Sequence, residues 1–181
     1  SYSEQNFADF LNQFTRLYTY MFLYPKPIVA ALNGHAIAGG CMLALACDYR
    51  VMVSGRAKIS LNEISFGSSV FAGSTEMLRF CVGNRNATEV LYSGAMYTAE
   101  EAKVLGLIDA ITAEEDLIHE ATKKAMDLGE KPGPAFTSIK LLLRKSVAEA
   151  MRLKEKDAIN DFVEIWYSDT TQENLKNIKI Y

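Results

Sequence analysis

The sequence predicts an α/β fold, and three consecutive segments near its start carry that prediction. Residues 28–32 form a short apolar run, which is typical of a buried strand. Residues 38–47 combine a glycine pair with a continuous apolar run, which indicates a tight turn opening into a buried helix. Residues 48–53 alternate apolar and polar side chains, as a second strand does. A strand, a glycine turn, a buried helix and another strand in succession indicate an α/β arrangement.

Helices are predicted on both sides of this unit. Residues 3–23 carry an apolar stripe at three- and four-residue steps, and Pro25 and Pro27 end that helix. Because the stripe needs a partner, we expect it to pack on a neighbouring element or on sequence outside this chain. Extended segments are predicted at 57–65 and 107–112, and helices at 74–82, 85–92, 99–105, 114–129, 136–151 and around 159–166. The linker 131–134 divides the chain into an α/β body, residues 1–130, and a helical region, residues 131–181.

Composition narrows the class of protein. The chain has 181 residues, of which 49% are hydrophobic and 23% charged, as in globular domains. No apolar run approaches the roughly 18 residues that span a bilayer, and a net charge of -3 argues against nucleic acid as a partner. The three cysteines lack metal-binding or redox spacing, which indicates buried, reduced thiols. We therefore expect an intracellular, cytoplasmic protein that binds neither nucleic acid nor membrane.

The glycine pair Gly39-Gly40 is the first candidate site. It is not a phosphate loop, since Gly40 and Cys41 stand where that motif needs Lys and then Ser or Thr. At the start of a helix, however, backbone N–H groups lack internal partners and the helix dipole adds partial positive charge. Such donors can stabilise a developing oxyanion. The alternative is that the two glycines only allow close packing of helix and strand.

The second candidate is Glu63, which stands in the apolar segment 59–67. Desolvation there would raise the pKa of its carboxyl group, as a general base working near neutral pH requires. The alternative is a strand residue whose side chain points outward into solvent.

Other chemistries find little support. His35 beside a turn is interpreted as a hydrogen-bonded structural residue, and His119 as a solvated one. Neither metal-ligand spacing nor a G-x-S-x-G nucleophile motif is present, so no metal site is predicted. The basic residues of the C-terminal region are interpreted as a solvated helix face, with phosphate contact as the alternative: Lys140, Arg144, Lys145, Arg152, Lys154 and Lys156.

Several motifs in order resemble one known family. The segment 25–41, PKPIVAALNGHAIAGGC, resembles the central motif of the enoyl-CoA hydratase/isomerase, or crotonase, superfamily. The resemblance continues through residues 46–50, 61–64, 91–94, 99–102 and 106–109. It implies a crotonase-type spiral of ββα units with an α-helical C-terminal trimerisation region.

The resemblance also implies partners. The substrate would be an acyl-CoA, with coenzyme A as part of the substrate and no other cofactor. The assembly would be a homotrimer or a dimer of trimers. The N-terminal units of the family fold, which supply a second oxyanion N–H, have no counterpart here. We expect them on another chain or in sequence outside this one.

Within the resemblance, Gly39 takes the place of one oxyanion donor and Glu63 that of the catalytic acid. Hydratases of the family usually carry a second glutamate where this chain has Met42. One acid beside an apolar residue resembles the Δ3,Δ2-enoyl-CoA isomerases, with the acyl pocket lined by Met42, Ile64, Phe66, Gly67 and Phe71. A hydratase with a displaced second acid, a thioester hydrolase and a non-catalytic acyl-CoA-binding homologue remain alternatives.

Overall fold

The computed structural model describes residues 3–177 as two small parallel sheets enclosed by helices. The helices are α1 (Glu4–Leu23), α2 (Gly39–Ala46), α3 (Ala72–Ser93), α4 (Ala99–Leu105), α5 (Leu117–Gly129), α6 (Gly133–Trp166) and α7 (Asp169–Lys176). The strands are β1 (Val29–Leu32), β2 (Ala36–Ile37), β3 (Tyr49–Val53), β4 (Ile59–Ser60) and β5 (Ala110–Thr112). A 3-10 helix, Glu63–Phe66, follows β4.

The chain winds between the two sheets as a spiral. Strands β1, β3 and β5 form one parallel sheet in that order, and β2 and β4 pair in parallel as the other. Successive strands therefore alternate between the sheets, and each turn of the chain adds a strand beside the one from the turn before. This winding agrees with the predicted α/β architecture.

The parallel pair β2–β4 determines where the candidate residues meet. Helix α2 begins shortly after β2, and the 3-10 helix begins shortly after β4. Carboxyl ends of parallel strands lie at the same edge of a sheet, which is where ligands of open α/β sheets bind. The N–H of Ala38 donates to the Ser60 carbonyl at 2.9 Å and continues the ladder to the start of α2.

The core surrounds α2, whose apolar side chains are buried along most of its length: Cys41, Met42, Ala44, Leu45 and Ala46. Helix α1 packs against it with part of the stripe predicted from the sequence: Leu11 and Tyr18 are buried, whereas Phe10 and Leu17 are 59% and 48% exposed. The buried part of the stripe finds its neighbours within the chain, on α2 and α6. No helix in residues 3–177 combines the length and apolar character that crossing a bilayer requires.

The C-terminal region is one long helix followed by a short one. Helix α6 has 34 residues, about 51 Å at the usual rise, and it crosses both α1 and α3. The prediction of two separate helices here was wrong, because the sequence between them contains no residue that breaks a helix. The interpretation of Lys140 and Arg144 as solvated was also wrong, since they are only 4% and 6% exposed.

Two further boundaries differ from the predictions. The predicted extended segment 57–65 is a strand only at Ile59–Ser60, because the N–H of Ser65 bonds back to the Asn62 carbonyl and starts the 3-10 helix. The predicted helices 74–82 and 85–92 are the two halves of α3, joined through Gly83 at φ 75° and ψ 165°. Helix α4, predicted at 99–105, begins with a capping box in which Thr98 and Glu101 exchange hydrogen bonds.

Candidate active site

Glu63 is a buried carboxyl group at the first position of the 3-10 helix. Its side chain is 3% exposed, and its Oε2 atom has no hydrogen-bond partner among residues 3–177. Burial raises the pKa of this carboxyl from its ordinary 4.5 to about 7, and a hydrogen bond from its own backbone N–H opposes the rise. The outward-facing alternative is therefore wrong, and Glu63 is placed to accept a proton near neutral pH.

Helix α2 brings its first turn into the electrostatic field of this carboxyl group. The Cys41 thiol has a strongly raised pKa, mainly through burial and next through the charge of Glu63. Cys41 is the third residue of α2, and the paired strands β2 and β4 place the start of α2 and the turn that carries Glu63 at the same edge of the sheet. This proximity could not be predicted from the sequence, because a cysteine in an apolar run is typical of any core.

The N-terminus of α2 presents free backbone donors. The N–H of Met42 bonds to the Ala38 carbonyl at 3.0 Å, whereas the N–H of Gly39 donates to no acceptor within residues 3–177. Ala38 directly precedes the helix at φ 50° and ψ −115°, a conformation that non-glycine residues rarely adopt. Strain of this kind concentrates at functional sites. A free donor next to a strained residue is consistent with an oxyanion site.

Gly39 is also needed for packing. A Cβ atom at this position would lie 3.3 Å from the ring of Phe14 on α1, which is tighter than ordinary contact. The two interpretations of the glycine pair are therefore compatible for Gly39, whereas Gly40 has open space where its Cβ would be.

Two polar residues beside Glu63 were missed by the sequence reasoning. Asn62 Oδ1 and Ser68 Oγ are buried and have no hydrogen-bond partner among the described residues. Unpaired buried polar atoms are rare in folded proteins, and a bound ligand or water is one explanation for them. Three of them, counting Glu63, lie within seven residues of chain. The one signal in the sequence that could have identified Asn62 and Ser68 as site residues is their proximity to Glu63.

A comparison with known protein families now bears on this site. The family model described as enoyl-CoA hydratase/isomerase matches residues 2–177. The chain belongs to that family. The human mitochondrial delta3-delta2-enoyl-CoA isomerase structure superposes with a TM-score of 0.89 at 26% identity, over 98% of this chain and 69% of that one. The enoyl-CoA hydratase EchA3 of Mycobacterium ulcerans gives 0.82 at 27% identity, over 88% and 69%. The crotonase fold predicted from the motifs is thereby confirmed.

Curated relatives include both kinds of enzyme. Enoyl-CoA hydratase, mitochondrial, of Pongo abelii is 30% identical over 156 residues, which cover 83% of this chain and 53% of the relative. Enoyl-CoA delta isomerase 1, mitochondrial, of Homo sapiens is 27% identical over 175 residues, which cover 96% and 58%. The chain spans little more than half the length of these two relatives. Membership of the enoyl-CoA hydratase/isomerase family thus leaves both reactions open.

The predicted pocket residues of this family member occupy two kinds of environment. Met42 on α2 and Phe71 before α3 are 2% and 4% exposed, and the Phe71 ring lies 4.5 Å from that of Phe162. Ile64 is 49% exposed, although it directly follows Glu63.

The other two predicted pocket residues contact the C-terminal helices. Phe66 packs edge-on against Trp166 at 6.2 Å, and the Gly67 carbonyl accepts a hydrogen bond from Thr171. The role of all five residues in lining an acyl pocket stays a prediction.

The half-buried carboxylate of Glu155 provides a useful contrast. Both oxygens of Glu155 are paired, with the Tyr18 hydroxyl at 2.6 Å and the Gly73 N–H at 2.7 Å. A Cβ at Gly73 would lie 2.3 Å from the Tyr18 hydroxyl, so the three groups form one close-packed junction of α1, α3 and α6. Both carboxylate oxygens of Glu155 thus have hydrogen-bond partners within the protein. Glu63 has one oxygen, Oε2, without a partner among the described residues.

The two histidines lie outside this site. His35 Nδ1 accepts the Lys58 N–H at 3.1 Å, which confirms its structural role, and His119 is exposed on α5. Within residues 3–177, no three His, Cys, Asp or Glu side chains are grouped as metal ligands would be.

Proposed function

We propose that the chain carries the catalytic acid of an enoyl-CoA isomerase that shifts a double bond from the 3- to the 2-position of the acyl group. The observation behind this proposal is the buried Glu63 carboxyl, whose Oε2 has no hydrogen-bond partner among residues 3–177, at the sheet edge where α2 begins. Met42, 2% exposed, occupies the place where the resemblance puts the second glutamate of hydratases.

In the proposed reaction, Glu63 first takes a proton from C2 of a 3-enoyl thioester. The electron pair of that C–H bond forms a dienolate, and negative charge develops on the thioester oxygen. The N–H of Gly39 donates to this oxygen, and one such donor lowers the barrier by about 3–4 kcal/mol. The protonated Glu63 then returns the proton to C4, which leaves the double bond between C2 and C3.

The site suits this proton transfer better than hydration. A carboxyl group with a pKa of about 7 can both accept and return a proton near neutral pH. Hydration needs a positioned water molecule and a second proton donor. Met42 cannot transfer a proton, and its side chain makes the site less polar.

Hydration is the second candidate, for a specific reason. Asn62 Oδ1 and Ser68 Oγ, within five positions of Glu63 in the chain, are buried without a hydrogen-bond partner among the described residues, and either could hold a water molecule. Hydratases also stand among the relatives, as the Pongo abelii enzyme shows.

The deciding experiment supplies 3-enoyl-CoA and 2-enoyl-CoA to the protein separately. We expect 2-enoyl-CoA from the first substrate and no 3-hydroxyacyl-CoA from the second. Rapid hydration of 2-enoyl-CoA would favour the second candidate, and binding without turnover would favour a non-catalytic acyl-CoA-binding homologue.

A matched pair of variants assigns the chemistry to Glu63. Glu63→Gln should lower isomerase turnover by about 10²–10⁴-fold, the usual contribution of general acid–base catalysis. Glu149→Gln changes an exposed glutamate of α6 in the same way and should leave turnover unchanged. Normal turnover in Glu63→Gln would remove Glu63 from the mechanism.

For the whole protein, we propose an acyl-CoA substrate with no further cofactor and assembly as a homotrimer or dimer of trimers. The helical region, residues 131–181, would form the contacts between subunits. Units that precede this chain in the family fold would supply the second oxyanion donor.

A further inference from the structure

The 3-10 helix that carries Glu63 is too short to hold its own position. It has four residues, and a single turn of this type has poor hydrogen-bond geometry. Its end depends on Gly67 at φ 80°, a conformation suited to glycine. The orientation of Glu63 therefore depends on what the rest of the chain packs against this turn.

Helix α7 holds the end of this turn through two side chains. Thr171 Oγ1 donates to the Gly67 carbonyl at 2.7 Å, and Asn174 Nδ2 donates to the Phe66 carbonyl at 3.3 Å. Thr171 is only 1% exposed, so its hydrogen bond is shielded from water. A Cβ at Gly67 would lie 3.1 Å from Asn174 Nδ2, which shows how closely α7 covers the turn.

The contact with α7 is connected to Glu63 through the backbone. The N–H of Ser68 donates to the Glu63 carbonyl at 3.0 Å, and the N–H of Gly67 donates to the Ile64 carbonyl at 3.1 Å. Gly67 thus links α7 to the turn: its carbonyl accepts from Thr171, and its N–H donates to the Ile64 carbonyl. The ring of Phe66 adds an edge-on contact with Trp166 at the end of α6.

We propose that Thr171 and Asn174 are positioning residues, which hold the Glu63 turn in the orientation that proton transfer needs. This inference rests on the proposed role of Glu63 and extends it, because it assigns part of the catalytic geometry to the last helix of the described chain. Displacing a reacting group by about 1 Å can cost about 10²-fold in rate. Loosening the turn should therefore lower kcat more than it raises KM.

Three variants separate positioning from general stability. Thr171→Val removes the hydroxyl group but keeps the shape of the side chain, whereas Thr171→Ser keeps the hydroxyl group. Thr170→Val makes the same replacement at the exposed neighbouring position of α7 and controls for helix propensity. We expect kcat to fall about 10- to 100-fold in Thr171→Val, to recover largely in Thr171→Ser and to remain normal in Thr170→Val.

Two measurements without substrate keep this test independent of the proposed reaction. The chain has one tryptophan, Trp166, whose contact with Phe66 makes its fluorescence a reporter of how the turn is packed. The pKa of the Glu63 carboxyl can be followed by carbon NMR, with Glu63→Gln for assignment. Among residues 3–177 no charged side chain contributes to the raised pKa of Glu63, and the titratable group that interacts with it is the Cys41 thiol.

In Thr171→Val we expect altered Trp166 fluorescence and a lower Glu63 pKa, since a loosened turn admits water. Unchanged fluorescence, an unchanged pKa and full activity would overturn the inference, as would equal losses in Thr170→Val. If the wild-type protein has no isomerase activity, the proposed function fails, and the fluorescence and the Glu63 pKa still decide whether α7 positions the turn.

Discussion

Glu63 has the properties of a group kept for chemistry rather than for stability. Its carboxyl is buried without an ion partner and with one oxygen unpaired among the described residues, whereas the Glu155 carboxyl has both oxygens bonded. A buried, incompletely paired carboxylate destabilises the folded state. Burial disfavours the charged form of the carboxyl group, and this free-energy cost appears as the raised pKa of Glu63.

The stability of the protein should therefore respond to Glu63 in a pH-dependent way. The folded-state pKa of about 7 lies above the ordinary 4.5, so the folded state binds more protons between these values. Folding stability from this group is fully present below pH 4.5 and is lost as pH rises through 7. We expect Glu63→Gln to increase the free energy of unfolding by about 3 kcal/mol at pH 8 and by little at pH 4.5. Urea titrations at the two pH values test this, and an equal change at both would contradict it.

The same pKa predicts the pH dependence of the proposed reaction. Glu63 must be ionised to take the first proton, so kcat/KM for isomerisation should fall about tenfold per pH unit below the pKa. We expect the midpoint of this acid limb near pH 7. Initial rates from about pH 4 to pH 9 measure it, and a midpoint near the ordinary carboxyl value of 4.5 would show that the acting carboxyl is solvated.

At the scale of elements, α6 fixes the far end of α2, the helix that carries the proposed oxyanion donor. Arg144 donates to the carbonyls of Ala46 and Cys47 at the C-terminus of α2 and forms an ion pair with Asp48. It also bonds the Phe22 carbonyl at the end of α1. One buried guanidinium thus satisfies carbonyls at the ends of two helices. Cations at a helix C-terminus also complement its dipole.

Removing this guanidinium should be costly for the fold. Arg144→Met leaves Asp48 with one fewer ion-pair partner and removes the donor to the helix-end carbonyls. Because these groups would lose a buried partner, we expect a loss of about 3–5 kcal/mol in the free energy of unfolding. Lys145→Met, at the exposed neighbouring position, should change it by less than about 0.5 kcal/mol. Chemical denaturation of both variants gives the comparison, and similar values for the two would refute the buried role of Arg144.

The burial of Arg144 also shows where sequence reasoning reaches its limit. The helix itself was predicted from its apolar steps, because periodicity is a local property. Which basic residues of that helix are buried depends on distant carbonyls, for Arg144 those of Ala46 and Phe22, 98 and 122 positions away. No local pattern records such a contact, so a buried arginine and an exposed lysine look alike in the sequence.

For the molecule as a whole, the motifs predicted the spiral fold and the burial of Glu63. They did not predict which residues contact the turn that carries Glu63. The glycine pair was singled out because it stands at the start of a predicted helix, where backbone N–H groups lack partners. Glu63 was singled out because a carboxylate is unusual in an apolar segment. The contact of Thr171 with Gly67 was not foreseen, because it joins residues 104 positions apart through a side chain of common type. The buried atoms Asn62 Oδ1 and Ser68 Oγ, which have no hydrogen-bond partner among the described residues, were missed for a similar reason. Whether a polar side chain finds a hydrogen-bond partner is decided by the fold.

Helix α6 also has exposed apolar side chains that bear on assembly. Helix α6 exposes Leu142 and Leu153, at 80% and 81%, and their spacing of 11 residues places them on one face of the helix. Exposed apolar surface of this kind often marks an interface between proteins, and the family resemblance predicts trimers formed by this region. We therefore expect the double variant Leu142→Glu/Leu153→Glu to shift the protein toward monomer in sedimentation velocity at micromolar concentration.

A control at another exposed apolar residue makes this test specific. Val104 on α4 is 86% exposed, and Val104→Glu introduces one negative charge outside α6, for comparison with the single variants Leu142→Glu and Leu153→Glu. It should leave the sedimentation coefficient unchanged, because a general effect of added charge would act at either position. Dissociation by Val104→Glu, or a wild-type protein that is already monomeric, would show that the leucine face of α6 does not hold subunits together.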